Sequence, residues 1–236
     1  MLPEPAQKAV AVRAMFGAIA PRYDLLNHLL SLNMDRRWRR IAVTRLLDGG
    51  REDGVYLDAC AGTLDLAAEI VSREGFRGRV VAADFALPML ARGAAKVTDA
   101  PVLAVCADAT RLPLADGSVD GAIVGFGIRN VEPLDAGLAE LARVTRRNGR
   151  LVLLEFTTPT RQPLRSVYLF YFRRVLPRLG RLLSRHDTAY DYLPASVLEF
   201  PAPAQLATQV SAAGFEEVRW RRLAGGIVAV HEAVRG

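Results

Sequence analysis

Three places in the chain join an acid or a glycine to the end of an apolar run, and their spacing suits the binding of a nucleoside. Val55 to Asp65 reads VYLDACAGTLD: a short strand carrying Asp58, a turn of small residues around Gly62, and an acid where a helix would begin. Small residues let the backbone approach a ligand, and a helix start offers free N–H groups. About twenty residues further on, a second run ends at Ala83-Asp84-Phe85, where an acid accepts hydrogen bonds from ribose hydroxyls. A third run ends at Cys106-Ala107-Asp108-Ala109, an acid and small residues able to frame an adenine ring. The turn has Gly62 alone instead of the GxGxxG of pyrophosphate cofactors, and such a turn by itself also fits a ligand-free strand–helix junction. The three ends together argue for a ligand, because open parallel sheets bind at the carboxyl ends of their strands.

Those ends need a sheet to hold them. Strands are expected at 55–59, 79–84, 102–106, 119–125 and 150–155, with helices at 65–74, 87–97 and 134–145. Apolar residues recur at three- and four-residue spacing in the helical segments, so each can lie on one face of the sheet. Strand–helix alternation of this kind predicts a parallel sheet with crossover helices. Residues 5–48 read as helical, with breaks near Ala20-Pro21 and Leu32-Asn33. Beyond Glu155 the alternation stops. Residues 161–185 read as basic helix, and Tyr190–Pro203 as a loop broken by Pro194, Pro201 and Pro203. A helix near 204–213 then ends at Gly214, and 217–222 pairs with 226–234 as a terminal hairpin. The expected fold is α/β, a three-layer Rossmann-like sheet, mostly parallel with a C-terminal antiparallel strand. N-terminal helices and an inserted helical cap complete one domain over 1–236, with 1–50 as a lid and 160–190 as a basic insertion.

Composition bounds the rest. The 236 residues, 51% of them hydrophobic, suffice for a sizeable core. No run reaches the roughly 18 uncharged apolar residues of a membrane span. The start, MLPEPAQKAVAVRAMF, lacks the apolar stretch of a signal peptide, so a cytoplasmic address is expected. Cys60 and Cys106 form no CxxC pair and His28, His186 and His231 show no ligand spacing around them, so neither metal nor disulfide is expected. A net charge of +6 points to an anionic partner: nucleic acid, an acidic metabolite or an anionic lipid surface.

The block Leu57-Asp58-Ala59-Cys60-Ala61-Gly62-Thr63-Leu64-Asp65 resembles motif I of class I methyltransferases. Further segments sharpen the likeness: Met15 to Asp24, Met34 to Arg39, Asp116 to Asp120, Gly125 to Val131, Asn148 to Phe156, Tyr190 to Ser196 and Gly225 to His231. Together they resemble, over nearly the whole chain, the family that methylates demethylmenaquinol and the methoxy-polyprenyl-benzoquinol precursor of ubiquinone. The resemblance implies S-adenosyl-L-methionine as methyl donor, with contacts at Thr63, Asp84, Asp108 and Ala109, and Asp58 and Gly62 in the turn. It implies C-methylation of demethylmenaquinol to menaquinol, the alternatives being the benzoquinol step or a non-catalytic relative that binds quinone or lipid. Two positions depart from the family pattern. Gly125 stands where a serine is usual, and Leu64 where glycine is usual. Leucine there costs little in helical geometry and is strained at positive φ.

The implied reaction needs an electron-rich ring, hence a reduced quinol whose hydroxyl loses its proton. It also needs two substrates in register and water kept out. Arg129 and Asn130 follow the fourth strand. Arginine there suits a developing phenolate but not proton uptake, which would fall to water, and Asn130 suits a quinol hydroxyl. His231 would serve as base if it faced the cleft, and otherwise reads as an ordinary packed histidine. Tyr23, Asp24, Tyr190 and Tyr192 are placed on the quinol side, with aromatic packing beneath helices as the competing reading.

The segment from Arg161 to Arg185 has seven arginines and no acid, interleaved with Tyr, Phe and Leu. That mixture suits a helix in the interface of an anionic membrane, at its inner face, and equally a solvated cap over the cleft. Arg36, Arg37, Arg39 and Arg40 around Trp38 form a second basic spot. Basic residues interleaved with aromatics also suit RNA, which keeps an RNA methyltransferase in view, but no nucleic-acid module appears and none is expected to bind. A phospholipid N-methyltransferase would share fold and charge. A polyprenyl quinol is the expected substrate partner, and a homodimer is left open.

Overall fold

The computed structural model describes residues 5–20, 23–175 and 188–236. Three helices open the chain: α1 (Pro5–Ile19), α2 (Tyr23–Leu30) and α3 (Met34–Leu47). Strands and helices then alternate: β1 (Val55–Ala59), α4 (Asp65–Val71), β2 (Arg79–Asp84), α5 (Leu87–Gly93), β3 (Val102–Cys106), β4 (Val119–Gly125), α6 (Leu134–Val144) and β5 (Thr145–Phe156). After α7 (Leu164–Phe170), which runs into a π-turn at Tyr171–Val175, come α8 (Thr188–Glu199) and α9 (Pro203–Ala212). The chain closes with β6 (Phe215–Leu223) and β7 (Val228–Arg235).

The seven strands lie in the order β3-β2-β1-β4-β5-β7-β6. β1 to β5 are parallel, while β7 runs antiparallel between β5 and β6. Order reverses at β1, so the crevice beyond the ends of β1 and β4 is the topological switch point, where open α/β sheets bind ligands. Adjacent residues on the central strands face opposite layers. Leu57, Val124, Leu151 and Leu153 point to the core shared with α6 and α9, whereas Tyr56, Ile123, Val152 and Leu154 point to the core shared with α3 and α4. Burial on both faces explains why these strands read as continuous apolar runs.

The five parallel strands and the antiparallel close match the sequence reading. Within the alternating region, three boundaries differ by three residues or more. Helix 65–74 ends at Val71, helix 87–97 changes at Gly93 into a 3₁₀ turn, and β5 begins at Thr145, where it pairs with Val119. The clearest correction is α8, a helix where Tyr190–Pro203 was expected to be loop. Pro194 removes one helical amide but is itself buried, and burial of Tyr192, Ser196 and Val197 offsets that loss. The basic segment is helical as far as Val175, and its remainder, 176–185, lies outside the described residues.

Candidate active site

The β1–α4 turn bends the chain through alternate left-handed residues: Cys60, Gly62 and Leu64 have φ of 54°, 52° and 64°. Leu64 is thus in the strained geometry, not the helical one. Its side chain is fully buried and packs towards α5, away from the crevice. Gly93 makes that approach workable: a Cβ there would lie 2.4 Å from the Thr63 carbonyl and 2.8 Å from Leu64 Cγ. Beyond β4, Phe126 is also left-handed, at φ 58°. Its neighbour Gly127 backs onto the turn so closely that a Cβ would stand 2.4 Å from Cys60 Cβ. Two strand exits pressed back to back leave a crevice between them.

Asp84, at the end of β2, organises one wall. Its two carboxylate oxygens accept from Gly62 N and Ala86 N, each at 2.8 Å. Burial pushes this carboxyl up, and the two amides pull partly back. Each oxygen keeps a lone-pair site for a further donor such as a ribose hydroxyl. Asp108 accepts from Thr110 N and Oγ1 and, with Ala109, lines the same crevice. Gly62, Gly125 and Asn130 line it too, while Phe16, Tyr23 and Met89 bring in the N-terminal helices and α5. The lining carries the carboxylates Asp84, Asp108 and Glu132 and, among the described residues, no lysine, arginine or histidine. Small residues, a doubly anchored acid and an all-acidic charge fit an adenosyl group that bears a sulfonium cation.

Other expected residues lie behind this wall. Asp58 is fully buried beneath the turn, where one oxygen accepts from Ala67 N at 3.0 Å and the other has no partner. Burial lifts its pKa to about 8, so it is a neutral acid capping α4 from below. Thr63 Oγ1 donates to Asp24 at 2.5 Å, and Lys96 Nζ bridges Asp24 and Asp65 at 2.7 and 2.6 Å. Burial alone would raise the Asp24 carboxyl, but hydrogen bonds from Lys96 and Thr63 carry it below the ordinary value. Arg39 continues the chain of charges, holding Asp65 at 3.0 Å and Asp35 at 2.7 Å. Asp24 therefore ties α2 to the turn and does not line the crevice.

Arg129 does not line the crevice either. Its Nη1 donates to Glu155 Oε1 at 2.7 Å and to the Phe126 carbonyl at 2.5 Å, its Nε to Ser196 Oγ at 3.4 Å, and it lies over the Phe156 ring. Burial raises the Glu155 carboxyl, with Arg129 drawing it partly back. Asn130 faces the crevice, and its Oδ1 accepts from the Tyr192 hydroxyl at 2.8 Å. His231 stands apart: it is buried in β7, its Nε2 2.9 Å from the Pro203 carbonyl beneath α9. Burial lowers its pKa, so it is a neutral packing residue and does not meet the crevice as a base. Tyr190 falls in the first turn of α8, and its side chain lies outside the described residues.

Sequence reasoning missed Phe16, Phe126, Glu132, Lys96 and Ser196. Phe16, Phe126 and Ser196 sit inside segments already singled out by resemblance, whereas nothing local marks Lys96.

Sheet order, switch-point crevice and acid-ended strands define a class I methyltransferase. An S-adenosylmethionine-dependent methyltransferase of Thermotoga maritima has the same fold, with a TM-score of 0.61 at 15% identity, covering 94% of this chain and 100% of that one. The chain belongs to the ubiE/COQ5 methyltransferase family, which matches residues 5–235. It is 48% identical over 224 residues to the demethylmenaquinone methyltransferase of Mycolicibacterium vanbaalenii, covering 95% of this chain and 94% of that one. It is 45% identical over 229 residues to the ubiquinone/menaquinone biosynthesis C-methyltransferase UbiE of Citrifermentans bemidjiense, covering 95% and 96%.

Proposed function

We propose that this protein moves the methyl group of S-adenosylmethionine to a ring carbon of a polyprenyl quinol, converting demethylmenaquinol to menaquinol. The observation that carries the reading is the acid-lined switch-point crevice with Asn130 on its wall. Bound donor would supply an electrophilic methyl on a cationic sulfur. Asp84 would hold its ribose, and Asp108 and Ala109 its base. Asn130 would meet the quinol oxygen, which becomes negative as its proton passes to water, and Arg129 would hold Asn130 in place. Phe16 and Tyr23, brought over the crevice by α1 and α2, would exclude water. The test is incubation of purified protein with donor and a demethylmenaquinol held reduced, read by mass spectrometry. A gain of one methyl on the reduced ring is expected, and none on the oxidised quinone. Absence of methylation on both naphthoquinols and benzoquinols would refute the reading.

The protein is further proposed to work from the cytoplasm at an anionic membrane face, as one domain whose N-terminal helices act as a lid. Among the described residues, no helix is long and apolar enough to cross a membrane. Support for surface contact comes from α7. Val167 and Phe170 are exposed one turn apart, flanked by exposed Arg165, Arg173 and Arg174, while Tyr168 and Phe172 anchor the other face. Co-sedimentation with vesicles containing phosphatidylglycerol, but not with pure phosphatidylcholine, is the expected outcome.

A further inference from the structure

Among the described residues, helix α8 contributes no side chain to the crevice lining, yet two of its hydroxyls reach the two residues that sit beside it. Tyr192 and Ser196 are four positions apart, hence on one helix face. The Tyr192 hydroxyl donates to Asn130 Oδ1 at 2.8 Å, and Ser196 Oγ accepts from Arg129 Nε at 3.4 Å. Both are buried. An asparagine side chain has one acceptor oxygen and an NH2 group with two donors. With the oxygen engaged from the α8 side, the NH2 end is the one left to meet the crevice that Asn130 lines. Burial raises the Tyr192 pKa, so the phenol stays a donor at working pH; the charges acting on it are Arg129, Glu155, Glu132 and Glu199. Arg129, meanwhile, is fastened to Glu155 and to the Phe126 carbonyl, which fixes the backbone of the step itself.

We infer that Tyr192 is a positioning residue that sets the polarity of Asn130, turning its amide NH2 into the crevice as donor to the substrate oxygen that ionises. The inference rests on the quinol reading above. Ser196 holds Arg129 to the same helix, so α8 registers on both residues at once. The consequence is a neutral, oriented donor where negative charge develops. Such a group strengthens its bond in the transition state without burying another charge.

The first measurement is kcat against pH with a 2-prenyl-1,4-naphthoquinol held reduced. Tyr192→Phe keeps the ring and its packing and loses only the oxygen. Its kcat is expected to fall about 10- to 100-fold, with KM for the methyl donor within about twofold. The acid limb of the profile should move to higher pH, because a freely turning amide stabilises the phenolate less. Asn130→Asp places a carboxylate against that oxygen and should lose more than Tyr192→Phe does. The second measurement needs no turnover. The Asn130 side-chain ¹⁵N–H2 resonance, identified by its absence in Asn130→Asp, should shift when 1-naphtholate is added to the wild type. In Tyr192→Phe that shift should be much reduced. An active wild type with unchanged kcat and pH limb in Tyr192→Phe would overturn the inference, and so would an Asn130 resonance indifferent to the Tyr192 hydroxyl. A wild type that methylates no quinol would sink the functional reading instead, leaving the resonance to decide the orientation.

Discussion

On the β1–β2 side of the crevice, Asp84 places both oxygens on backbone amides, one from the neighbouring turn and one two residues along its own chain. On the β4–β5 side, Glu155 is held by the guanidinium of Arg129, a residue 26 positions away, which in turn touches Ser196, 67 positions from itself. Both acids are buried at strand ends and both are pushed up by burial. The first is held by backbone amides alone, so it stays an acceptor facing the crevice. The second, whose oxygens also accept from Phe156 N at 2.8 Å and Arg129 N at 3.4 Å, carries an opposite charge as well, and neither partner of that pair lines the crevice. A strand-end acid held by amides alone keeps acceptor sites open to the crevice, and one that an arginine also holds is turned into scaffold.

Breaking the paired side should have the largest effect. Arg129→Met leaves Glu155 buried without a counter-charge and should cost about 3–5 kcal/mol of stability, measured by urea unfolding. Adding Glu155→Leu to the same protein should recover much of that loss without restoring methyl transfer. On the amide-satisfied side, Asp84→Ala should fold but bind S-adenosylmethionine about 30- to 100-fold more weakly by calorimetry, the equivalent of one or two charged hydrogen bonds. Near-native affinity would place the ribose elsewhere.

Leu64 tests the turn between the two sides. Leu64→Gly relieves about 1–2 kcal/mol of left-handed strain but gives up a fully buried side chain worth about 2–5 kcal/mol. A net loss of roughly 1–3 kcal/mol is therefore expected, visible as a lower melting temperature, and a stabilised variant would show that strain dominates. Asp58→Asn should have the smallest effect below about pH 4, where the group keeps its proton in the folded protein and largely in the unfolded chain too. Because the folded-state pKa of Asp58 is raised to about 8, the native protein binds a proton that the unfolded chain releases near the ordinary carboxylate value of 3.8. Stability from this group is complete below that value and is lost as pH rises towards 8. The asparagine variant should flatten that decline by up to about 1.4 kcal/mol per pH unit, measured by unfolding across pH 5 to 8.

Much of the crevice was legible from residue types alone. Gly62, Asp84, Asp108 and Ala109 line it, because they lie at or just past the ends of apolar strands and parallel strands bring such ends to one edge, and Asn130, which the family resemblance singled out, lines it too. Arg129, Asp24, Thr63, Asp58 and His231 were legible as special but not as to what they touch. Each is close in sequence to the crevice or to a family segment, and each turns to a partner that only folding supplies: Glu155, Lys96, Ala67 N or the Pro203 carbonyl.

By itself the sequence determined the strand pattern, the switch point and the family, since these follow from short-range periodicity and from residues that act where the chain places them. The tertiary structure alone decided that Leu64 is left-handed and turned inward over Gly93, and that residues 188–199 are helix despite Pro194. It also decided that Asn130 Oδ1 accepts from the Tyr192 hydroxyl. Those outcomes depend on which distant groups remove a buried atom's need for water, and that depends on packing between segments that share no local signal.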